Sequence, residues 1–246
     1  MPTDEYLQQV TLGERKPLNG TILLREYDPT WPEQYRAEEE KISTALDGQQ
    51  ITLQHVGSTS VPGLCAKPIL DILLLVEDST EEASYVPALE EAGYVLRIRE
   101  PEWYQHRMFK GMNPEVNLHV FSQGCEEAKR MLDFRDWLRT HQEDRDLYAA
   151  EKRRLARQTW TYVQNYADAK TEVVTKILEH IRGKLLKAAS GHRKGNRGKR
   201  TRLVLLPLLF FLRFFPVGRS SPVTLQPLQQ TPKSFFWFGG SSNTWG

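Results

Sequence analysis

The apolar positions of this chain change period several times, and each change marks an expected element. Residues 1–20 are polar and aperiodic, which predicts a loose arm. Residues 22–27 read as a short strand, interrupted by Asp28-Pro29-Thr30-Trp31-Pro32. Helical spacing follows. Tyr35, Ile42, Ala45 and Leu46 fall on one side, Thr30 stands where a cap belongs, Pro32 lies in the first turn, and Asp47-Gly48 is a stop. The period then shortens. Ile51, Leu53 and Val56 mark a strand ending at Gly57, and residues 69–76 are almost all aliphatic, as in a strand buried on both faces. A helix is expected over 81–92, shortened or bent by Pro87 and closed by Gly93. Residues 94–98 alternate as a strand. Residues 103–109 and 115–121 read as an antiparallel pair joined by Lys110-Gly111-Met112-Asn113-Pro114. On the second of these, Asn117 and His119 share one face, and Leu118 and Val120 the other.

The chain beyond residue 125 is helical. Met131, Phe134, Trp137 and Leu138 form a stripe over 126–140, and Leu147, Tyr148, Leu155 and Ala156 another over 143–160. Val163, Tyr166, Ala169, Val173, Ile177 and Ile181 predict one helix over 162–181. Strands and helices intermixed first, helices alone afterwards, predict an α+β domain over residues 21–182: a mixed β-sheet with flanking helices and a C-terminal helical segment.

Charge divides the chain more sharply than hydropathy does. From Gly183 onward there are 11 Lys/Arg and no Asp/Glu; before it, 22 Lys/Arg stand against 31 Asp/Glu. The body is therefore about −9 and residues 183–246 are +11. An acidic body is a poor general binder of nucleic-acid backbone, so a nucleotide site in it needs its own local positive charge. Residues 190–202 are basic and Gly-rich; residues 203–217 are intensely apolar. That run has fifteen residues and contains Pro207 and Arg213, short of the about twenty needed to cross a bilayer. It is open to three readings: an anchor on anionic membrane, a partner-binding segment, or an aggregation-prone stretch. Residues 218–246 are rich in Ser, Pro, Gln and Gly, and the whole tail is expected to be disordered. Two cysteines, Cys65 and Cys125, are too few for a disulfide framework, and the N-terminus has no apolar signal core; a reducing, cytoplasmic setting is expected.

The chemistry concentrates between the two central strands. Gly57-Ser58-Thr59-Ser60 offers hydroxyls and backbone N–H groups at a turn, which phosphate oxygens can approach. Lys67 follows, and Asp71 begins an otherwise aliphatic strand, where a carboxylate needs a metal, a cation or several donors. Two readings stand here. One is a nucleotide or phosphate site; the other is a tight connection with Asp71 in a structural ion pair. Arg135 beside Asp136 is either a reach back to the sheet or an architectural bridge, and Lys152 and Lys170 stand on helix flanks that are ordinarily solvated.

Several motifs together resemble the GrpB family: HVGSTSVPGL with AKPILDI, then LHVF, FRDWLR, EKRRLA and AKTE, preceded by YDPTWP. The resemblance spans residues 22–181. It implies the nucleotidyltransferase-like fold of the DNA polymerase beta superfamily, in which a Gly-Ser corner and acids on the following strands hold divalent metal under a triphosphate. Gly57-Ser58 matches the corner and Asp71 the first acid. Leu73 stands at the second acid position, and His119 on the strand that should supply a third. The resemblance implies a nucleoside triphosphate or phosphorylated small molecule as ligand. Asp71 and His119 become the metal-binding and catalytic candidates. Gly57, Ser58, Thr59, Ser60 and Lys67, with Arg135, Lys152 and Lys170, become the phosphate contacts. Asp71 would hold one Mg²⁺ that keeps most of its waters. Two functions follow: nucleotidyl transfer, or binding of a nucleotide or metabolite without turnover, which the missing carboxylate at Leu73 favours.

Overall fold

The computed structural model describes residues 4–15 and 17–191, with side chains described to residue 187. The basic run, the apolar run and the expected membrane or partner contact lie outside the described residues. Among the described residues, no helix is long and apolar enough to cross a membrane.

Five strands form one mixed sheet: β1 (Thr52–Val56), β2 (Leu70–Val76), β3 (Val95–Glu100), β4 (His106–Gly111) and β5 (Val116–Ser122), in spatial order β1-β2-β5-β4-β3. β2 and β5 are parallel, and the other neighbours are antiparallel. The register sets Asp71 opposite Val56 on one side and Asn117 on the other, and Leu73 opposite His119. Period-two alternation then places Asp71, Leu73, Asn117 and His119 on one face.

Helices cover both faces, which is why the central strands are apolar throughout. On one face, α2 (Trp31–Ala45) and α3 (Val86–Glu91) pack Ile42, Leu46 and Leu89 against Ile72, Leu74 and Leu118. On the other, α4 (Glu126–Thr140), α5 (Gln142–Ala156) and α7 (Thr171–Gly191) bring Phe134, Leu138, Tyr148 and Ile177 to Val56, Leu73 and Phe121. The short α6 (Val163–Ala169) joins α5 to α7. The fold is α+β, as the order of elements predicts.

Local expectations differ from the structure at several places. Residues 4–10 form α1, not a loose arm; Leu7 and Val10 are buried, and Leu12 N–H bonds Arg97 O at 2.8 Å, so docking on the edge strand β3 orders a segment with little pattern of its own. Residues 22–27 are extended but form a single bridge, Arg25 with Ala66, because the link they meet is not itself a strand. Thr30 makes no side-chain cap; Asp28 accepts its N–H and hydroxyl instead, at 2.9 and 2.7 Å. The expected helix over 162–181 is two helices broken at Lys170, and the second runs on to Gly191, past the expected boundary at 182. The break turns Lys170 inward, where it is 3% exposed.

Candidate functional site

The site is built on a close approach between a turn and a strand. Gly57 leaves β1 at φ +68°, and residues 58–60 wind into one turn of 3₁₀ helix. Ser60 Oγ closes that turn on Gly57 O at 2.6 Å. Thr59 Oγ1 lies 3.0 Å from His55 Nε2 and 3.4 Å from Ile69 O, tying the turn to both flanking strands. These contacts hold the corner against Asp71, which is 4% exposed.

Asp71 Oδ1 accepts Asn117 Nδ2–H at 2.7 Å, and Asn117 Oδ1 in turn accepts Lys110 Nζ–H. His119 Nε2 stands 3.7 Å from the same Asp71 oxygen, with no hydrogen-bond partner of its own. Behind it a buried row crosses the sheet: His119 Nδ1 meets His106 Nε2 at 3.1 Å, and His106 Nδ1 donates to Glu100 at 2.7 Å. Burial opposes the ionised Asp71, but His119, Asn117 and Lys67 outweigh it and hold the carboxyl below its ordinary value.

A narrow cleft, with a volume of about 20 Å³ open to a water-sized sphere, lies over this carboxylate. Ser58, Thr59, Asp71 and three lysines, Lys67, Lys152 and Lys170, line it, with Ala66, Ile69 and Tyr166 as apolar wall. Lys152 and Lys170 are 2% and 3% exposed. Lys152 donates to Cys65 O and lies over the Tyr148 ring at 4.6 Å; Lys170 lies over the Tyr166 ring at 4.8 Å. Lys67 is a half-buried residue, yet its Nζ is buried and has no hydrogen-bond partner. Burial pulls both Lys152 and Lys170 down to about 7, and each lysine's neighbours of like charge add to this. Lys67 is driven well below its ordinary value, first by burial and then by Lys170 and Lys110. Such a cluster is costly without an anion, because ammonium groups lose their hydration and repel one another.

The structure thus brings Ser58, Thr59, Lys67, Asp71, Lys152 and Lys170 together. Gly57 supports the corner from behind. Ser60 and Arg135 do not line the cleft: Arg135 binds Gln54 Oε1 at 2.9 Å, His55 O at 3.0 Å and Asp136 at 2.8 Å, fastening α4 to β1. Arg139 adds two bonds to Ser60 O, at 3.0 and 2.9 Å. His119 lies beside Asp71 but is not part of the cleft wall. Sequence reasoning missed Lys110, His106 and Glu100. Their only signal was strand register, which places Lys110 opposite Asn117 and Glu100 opposite His106.

The donor set does not fit a protein-held metal centre. Among the described residues no three His, Cys, Asp or Glu side chains gather in a metal-binding geometry. Asp71 and His119 provide two groups at most, and the lysines of the cleft repel a cation.

Among known proteins, the profile described as GrpB protein matches residues 21–180. The chain belongs to the GrpB family. A UPF0157 protein of Halalkalibacterium halodurans is 57% identical over 177 residues, covering 72% of this chain and 91% of that one. A UPF0157 protein of Streptomyces coelicolor is 44% identical over 156 residues, covering 63% and 82%. The crystal structure of GrpB from Enterococcus faecalis superposes with a TM-score of 0.58 at 27% identity, covering 67% of this chain and 99% of that chain. The GrpB match ends before α7 does, so the sheet, the corner and all three cleft lysines fall inside the family domain.

Proposed function

We propose that this GrpB-family protein binds the phosphate groups of a nucleoside triphosphate or of a phosphorylated small molecule in the cleft over Asp71. One observation carries the reading: Lys67, Lys152 and Lys170 converge with the Ser58 hydroxyl on one small cleft whose only acid is Asp71. Phosphate oxygens supply the acceptors that Lys67 lacks and neutralise ammonium groups that burial otherwise disfavours. Binding without turnover is the better-supported form, because Leu73 faces His119 where a second carboxylate would assist nucleotidyl transfer.

The test is thermal unfolding of the full chain with ATP, GTP, CTP, UTP and pyrophosphate. A ligand at 100 times its Kd stabilises a fold by about 2.7 kcal/mol, a shift of several degrees. The expected shift disappears in Lys152→Met and Lys170→Met. A shift that survives both substitutions places the ligand elsewhere. Transfer of label from α-³²P nucleotide to any acceptor would replace the binding reading with the catalytic one.

A further inference from the structure

We infer that the lysine cluster takes the place of a divalent cation, so that phosphate enters this cleft as the metal-free anion. The inference rests on the phosphate reading above and concerns what neutralises the ligand.

Three cleft lysines against the single carboxylate of Asp71 leave a surplus of two positive charges when all are protonated, the charge of one Mg²⁺. The amines are already in place on rigid supports, and the bound anion favours their protonated forms. Lys67 stands on the link before β2, Lys152 on α5 and Lys170 at the break between α6 and α7. Lys152 is held at Cys65 O, and Lys67 Nζ is buried with no hydrogen-bond partner. A phosphate dianion or the end of a polyphosphate chain supplies both the acceptors and the charge.

Asp71 is then a counter-charge and not a metal ligand. One of its oxygens is occupied by Asn117 and faces His119; the other lies against Gly57. The carboxylate lets the lysines remain buried in the empty cleft, and it repels the incoming anion. This gives the two roles opposite signs under substitution. Removing a metal ligand weakens metal-dependent binding; removing a neighbouring negative charge strengthens anion binding.

Isothermal titration of the full chain with inorganic phosphate, pyrophosphate and ATP decides between them, in EDTA and in excess Mg²⁺ or Mn²⁺. The expected result is binding in EDTA that divalent metal leaves unchanged or weakens, because a metal-complexed phosphate carries less charge. Because Asp71 also helps keep the lysines protonated, the comparison is made below pH 7, where Asp71→Asn is expected to tighten metal-free binding by about tenfold, and Lys67→Met to weaken it. Binding seen only with a divalent metal, and lost in Asp71→Asn, overturns the inference while leaving the phosphate reading intact. The comparison of EDTA with metal needs only the wild-type chain, so it stands if Asp71→Asn does not fold. Absence of binding by every anion in both conditions removes the phosphate reading and the inference together.

Discussion

Asp71 and Gly57 are in contact so close that a β-carbon on residue 57 would stand 2.2 Å from Asp71 Oδ2. Gly57 also has φ +68° and ψ −171°, a conformation nearly confined to glycine. Two physical constraints therefore select the same residue. Gly57→Ala is expected to destabilise the fold by about 2–4 kcal/mol. Urea unfolding measures this, and in an Asp71→Ala background the cost should fall only in part, since the Oδ2 and Cγ contacts are gone while the residue 71 β-carbon, 2.7 Å away, and the backbone strain remain.

Lys67→Met tests whether the buried amine is kept for binding at the expense of stability. Its Nζ loses no hydrogen bond on substitution, and methionine fills a similar volume. The free protein is expected to become more stable, by about 1–3 kcal/mol, while its affinity for pyrophosphate falls. A parallel loss of stability would assign Lys67 to the architecture instead.

The lysines also set a pH dependence. Lys152 and Lys170 titrate at about 7 in the fold against an ordinary value of 10.5. Between those values the unfolded chain binds more protons, so these groups make stability rise as pH rises from 7 towards 10. A bound anion favours the ammonium forms, so binding takes up protons in the same window and affinity falls as pH rises above 7. Titration in buffers of different ionisation enthalpy counts those protons.

Histidine burial acts at the other end of the scale. Burial brings His55 and His106 down to about 4 from 6.5. Their neutral forms support the fold above pH 6.5, and that support is lost as pH falls through 4. The urea midpoint should therefore drop between pH 6.5 and 4. In His55→Gln the drop should be smaller.

Arg135 separates architecture from binding. Its bonds to Gln54 and His55 join α4 to β1 outside the cleft, and Asp136 beside it on α4 holds the guanidinium. Arg135→Met is expected to cost about 1.5–3 kcal/mol of stability and to leave pyrophosphate affinity unchanged under conditions where the chain remains folded.

The sequence by itself determined the five strands, the helices α2 to α5 and their faces, because these follow from local period. The aliphatic run after Lys67 made β2, and alternation put Asn117 and His119 on one side of β5. The motifs of the central corner were legible for a related reason: Gly57, Ser58 and Asp71 lie on one connection between consecutive strands. Only the tertiary structure decided which charges meet there. Lys152 and Lys170 each sit on an amphipathic stripe whose flank is ordinarily solvated. Helix rotation, and the break at Lys170 that no residue pattern announced, turned them towards Asp71 some 80 to 100 residues earlier in the chain. The same packing took Arg135 the other way, onto β1. A side chain's direction on a helix is fixed by what the helix docks against, and that is a long-range property no local period contains.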